Sequence, residues 1–100
     1  MPAPSGHPND DNDADIASSC ARGLLAGTMA LMSAYSTALA GSDTSVRGAT
    51  RPLMARKIVS NLVRLRAHPG LGEPMRCVAA KLHRHWSTVV DAEATLQALH

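Results

Sequence analysis

The residues best suited to chemistry gather in two places. His83-Arg84-His85-Trp86 brings two imidazoles together, and Asp10, Asp11, Asp13 and Asp15 bring four carboxylates together. Metal ligands on one helix lie three or four residues apart, whereas His83 and His85 are two apart and stand about 200° from each other around a helix. Cys77 and His85 fall two turns apart on one face, but Lys81 sits between them. The aspartates lie in a stretch with three prolines and almost no apolar surface to hold a geometry. Cys77 has one basic neighbour, Arg76, which is thin activation for a thiol. Gly70-Leu71-Gly72 leads into a helix but follows another helix, so it is no phosphate cradle after a strand. The serines and threonines of 28–50 lack a Gly-x-Ser-x-Gly context. The sequence therefore predicts no enzyme, with no catalytic residue, no metal ligand and no cofactor.

The elements that carry these residues are helical. The chain has 100 residues, 17 of them alanine, with one tryptophan, one tyrosine and no phenylalanine. Alanine and leucine favour helix, while a sandwich or barrel wants the β-branched and aromatic residues that are scarce here. A stacking platform for single-stranded nucleic acid lacks its rings for the same reason. The expected fold is all-α: a small bundle of three main helices plus a short C-terminal one. Residues 1–13 are expected to form a disordered acidic arm, and 14–100 a single domain.

The first helix is expected over 15–40, closed by Gly41. Leu24, Leu25, Met29, Leu31, Met32, Tyr35 and Leu39 spread over one broad side, and small residues occupy the other. From Gly23 to Ser42 no side chain is charged. Gly23, Gly27, Ala26, Ala30, Ala34 and Ala38 offer a surface on which a second helix backbone can come close. A loop follows over 42–49. Thr50 then offers an N-cap with Pro52 in the first turn of a second helix, which runs to about Ala67 before His68-Pro69-Gly70. Pro74 opens the third helix, whose inner face is Met75, Val78, Ala79, Leu82, Trp86, Val89 and Val90. Glu93 falls on that apolar side, which predicts a break near Asp91 and a short final helix with Leu96 and Leu99 facing in. Cys20 and Cys77 lie on different helices and are expected to be buried free thiols, with a single bridge as the alternative.

Charge is distributed unevenly behind a net +2. Residues 1–46 hold five acids and only Arg22, whereas 47–86 hold nine basic residues and only Glu73. Arg51, Arg56, Lys57, Arg64, Arg76, Lys81 and Arg84 would make a basic outer face for an anionic partner. A helix-turn-helix is excluded by the long 68–73 connection, and no Asn or Gln stands on the third helix's basic face to read adenine. The leading expectation is a small non-catalytic interaction, adaptor or regulatory protein that forms a homodimer through its first helix and binds a further protein. The alternative is nucleic-acid binding through the basic faces of the second and third helices.

The 23–40 stretch has the length of a membrane span, and Ala38-Leu39-Ala40 has the small-x-small form of a signal cleavage site. Glycine, serine and threonine dilute the span, and four aspartates precede it. The expectation is a cytoplasmic protein without a membrane partner. Export is the alternative if 1–40 acts as a signal segment.

Overall fold

In the computed structural model the chain forms three α-helices: α1 (His7–Ala40), α2 (Thr44–Leu65) and α3 (Glu73–Ala98). The structure describes residues 7–41 and 44–99, with side chains over 15–41 and 50–99. The all-α expectation holds, and no strand occurs among the described residues.

Helix α2 is the middle element. It packs against both α1 and α3, whereas no Cα of α1 comes within 8 Å of a Cα of α3 among the described residues. Gly70, just beyond α2, lies against Ala17 early in α1. At the other end, Tyr35 late in α1 and Arg51 early in α2 both reach Glu93 late in α3. The chain thus runs up, down and up.

The spacing of the buried residues explains this packing. On α2 the buried core residues Ala55, Ile58, Leu62 and Leu65 stand three and four apart in alternation. On α3 the same alternation runs through Ala79, Leu82, Trp86, Val89 and Glu93, with Leu82 and Val89 partly buried. On α1, Ala21, Thr28 and Tyr35 follow at intervals of seven. A 3.5-residue period keeps one seam facing its neighbours when helices cross at about 20°. Each of Ile58, Leu62 and Leu65 contributes roughly 1.5–3 kcal/mol by leaving water. Thr28 joins this apolar seam because its hydroxyl donates to the Leu24 carbonyl at 2.7 Å, which leaves its methyl to pack.

The turn between α2 and α3 explains its glycine. The His68 and Leu71 amides donate to the Leu65 and His68 carbonyls, and the Gly70 amide donates to His68 Nδ1 at 3.0 Å. A Cβ at Gly70 would stand 2.1 Å from the Ala17 carbonyl oxygen, so only glycine permits this approach. Gly72 caps α3 with extended backbone, and Pro74 occupies its first turn, where no amide is needed.

Four expectations change. Helix α3 does not break near Asp91 but continues to Ala98, because Glu93 finds partners in the interior; beyond it Leu96 and Leu99 stand exposed rather than facing in. Helix α2 starts at Thr44 rather than at Thr50, which places Pro52 inside it. A proline there forfeits the bond to the carbonyl of residue 48, worth roughly 3 kcal/mol in an unsupported helix, and its buried ring offsets part of that loss. Cys20 and Cys77 are free but exposed, since both lie off the apolar stripes of their helices. Of the expected arm, residues 1–6 lie outside the described residues, and the backbone of α1 begins at His7.

Candidate functional site

One polar cluster draws a residue from each helix. Glu93 of α3 occupies a seam position and is only 4% exposed. Arg51 of α2 donates through Nε to Oε2 at 3.0 Å and through Nη2 to Oε1 at 3.3 Å. The Tyr35 hydroxyl of α1 donates to Oε2 at 2.5 Å. A carboxylate buried there without these donors would carry a large desolvation cost. Burial, and after it the hydrogen bond and charge of Glu93, push the Tyr35 phenol up to about 12, against the opposing pull of Arg51. The Tyr35 ring meets Trp86 edge to face at 5.2 Å, so the cluster has an aromatic wall. The Tyr35 hydroxyl and both Glu93 oxygens are engaged within it, and the Arg51 side chain is 20% exposed. The cluster ties three helices together rather than presenting a reactive group.

Beyond Trp86 the gap between α1 and α3 opens into a groove of about 240 Å³. Leu62 and Leu65 of α2 form its floor, Leu25 and Met29 one wall, and Met75, Val78 and Leu82 the other. Its surface is almost entirely carbon. Met29, Met75 and Val78 stand exposed at its lips.

Most of the small-residue side of α1 is uncovered. Ala26, Ala30 and Ala34 are exposed, and neither Gly23 nor Gly27 has anything near the place a Cβ would occupy. Ala30, Ala34 and Ala38 line a shallow pocket against Thr50 and Met54 of α2, and of the three only Ala38 is buried. The stretch Asp15–Ala40 has the length and hydropathy to cross a membrane, and only 17% of its most apolar window is buried.

The basic residues scatter. Arg51 is spent on Glu93, and Arg76 pairs with Glu73 at 3.0 Å. Arg56, Lys57, Arg64, Lys81 and Arg84 remain exposed. His83 turns toward Arg66, just beyond α2, at 3.5 Å, while His85 packs edge-on against Trp86. Among the described residues no group of three or more His, Cys, Asp or Glu is placed to hold a metal.

Sequence reasoning missed both the Tyr35–Glu93–Arg51 cluster and the groove. The available signal was Leu96, which keeps the α3 phase three residues beyond Glu93. An acid inside an unbroken apolar phase is an interior acid that needs partners. Comparison with protein-family models, with curated proteins and with solved structures finds no match for this chain.

Proposed function

We propose that this chain is a non-catalytic interaction protein that associates with a second copy of itself through the outward side of α1. One observation carries the reading. From Gly23 to Gly41 α1 has no charged side chain, yet Gly23, Ala26, Gly27, Ala30 and Ala34 stand uncovered in the single chain. A helix without a polar face is normally covered all round. Small side chains at four-residue spacing let two backbones approach closely, with many weak contacts per turn.

The inward side of α1 argues for a protein partner over a lipid one. Thr28 and Tyr35 are buried against the other helices, and Tyr35 completes the Glu93 cluster. Withdrawing α1 into a bilayer would strip those contacts and wet Ile58 and Leu62. Docking a second copy on the outward side leaves them intact.

Light scattering at high micromolar concentration tests this. The expected mass is twice the 10.5 kDa of the chain. Ala30→Glu and Ala34→Glu should each return it to the single-chain mass with unchanged helical circular dichroism. A single-chain mass for the unaltered protein overturns the reading, as do variants that remain paired.

A further inference from the structure

The α1–α3 groove is a second uncovered surface, about a third of a turn around α1 from the small-residue side. We propose that it receives an amphipathic helix with acidic edges, supplied by a different protein. Its size and chemistry argue for inserted side chains over a free small molecule. At about 240 Å³ it falls below the roughly 300–1,000 Å³ of small-molecule sites, and its carbon walls offer no polar group to orient such a ligand. Methionines at the lip suit a helical ridge, because their unbranched side chains adapt to its shape.

Charge selects among helices. Arg22 lies one turn before Leu25 and two before Met29, so it edges the α1 wall. Lys81 lies one turn after Val78 and edges the α3 wall. Both are exposed. The one described acid near the groove in sequence, Glu73 between Leu71 and Met75, is paired with Arg76. A helix that lays leucines on Leu62 and Leu65 therefore sets its flanking positions against cations on both sides. Glutamates there are complementary and lysines are repelled.

The test titrates full-length protein, labelled with carbon-13 at its methionine methyls, with two synthetic helical peptides. Both carry leucine at i, i+3, i+4 and i+7; one has glutamate on its flanks and the other lysine. The Met29 and Met75 signals should move saturably with the glutamate peptide, while Met54, which lies between α1 and α2, stays still. The lysine peptide should bind at least about ten-fold more weakly. Val78→Lys and, separately, Met75→Lys should abolish the shifts without loss of helicity. Ala30→Glu should leave them unchanged, which separates this groove from the self-association surface. The proposal is overturned by equal response to the two peptides or by no response. It is equally overturned if diluting the Ala30→Glu variant alone moves the Met75 signal, which would make a second copy the occupant of the groove. Movement on adding anionic lipid vesicles without peptide would assign the groove to lipid instead.

Discussion

Arg51 holds both carboxylate oxygens of Glu93, across the α2–α3 interface and at a seam position that an apolar side chain would ordinarily fill. The pair is well sheltered: the Glu93 side chain is 5% exposed and that of Arg51 is 20% exposed. Desolvating two charges offsets much of their attraction, so such pairs specify an arrangement more than they stabilise it.

That view separates single from combined substitutions. Glu93→Leu alone strands the Arg51 guanidinium and the Tyr35 hydroxyl, and should cost about 2–4 kcal/mol. Replacing all three together (Tyr35→Phe, Arg51→Met, Glu93→Leu) should return stability to within about 1 kcal/mol of the starting protein. Urea unfolding measures both. A triple variant as unstable as the sum of its single changes contradicts the argument.

The raised tyrosine gives a pH window. An unfolded tyrosine loses its proton near 10, whereas Tyr35 in the fold holds it up to about 12. Between these values the folded chain binds more protons than the unfolded one, so stability falls as pH rises. The contribution is fully present below pH 10 and is lost by about pH 12, on the order of 2–3 kcal/mol. Tyr35→Phe should lack this part of the slope. Since Tyr35 is the one tyrosine in the chain, tyrosinate absorbance reads its titration directly. A midpoint near 10 in the folded protein would contradict the shift.

Gly70→Ala drives a methyl into the Ala17 carbonyl. Because the obstacle is backbone, the loop or α1 must move, at a cost of about 1–3 kcal/mol. Ala17→Gly should not rescue it, since it removes only a side chain. Thermal unfolding of the single and double variants checks this, and rescue by Ala17→Gly would place the clash elsewhere.

Asn61 is buried in α2 with its Oδ1 unpartnered. That oxygen has lost water and gained nothing, so Asn61→Leu should stabilise the chain by about 1–2 kcal/mol. The urea midpoint should rise with the slope unchanged. A lower midpoint would show that the amide has a structural role.

Much of the fold is legible before any coordinates. The apolar phases of α2 and α3 and the stop at His68-Pro69-Gly70 follow from side-chain size, period and turn chemistry. So does the division of α1 into a large-residue side and a small-residue side. The partners of Glu93 were illegible, because Arg51 and Tyr35 are distant in sequence and no local rule supplies them. Pro52 misled in a similar way. Local preference puts proline in a first turn, and tertiary burial of its ring lets it sit deeper. The groove depends on how far α1 stands from α3, a distance no single helix encodes. Cys20 and Cys77 were placed inside by residue type, although their positions around their own helices already pointed outward.

Taking one member of the polar cluster from each helix also biases the order of assembly. A hairpin of α2 and α3 already satisfies the Arg51–Glu93 pair. Docking α1 on α2 first would desolvate Arg51 with no acid to answer it. The favoured route therefore closes α2 on α3 early and seats α1 last, when Tyr35 finds Glu93 and Gly70 settles against Ala17. In the reverse direction α1 is the first helix to leave. A second copy docked on the uncovered small-residue side of α1 would oppose that departure.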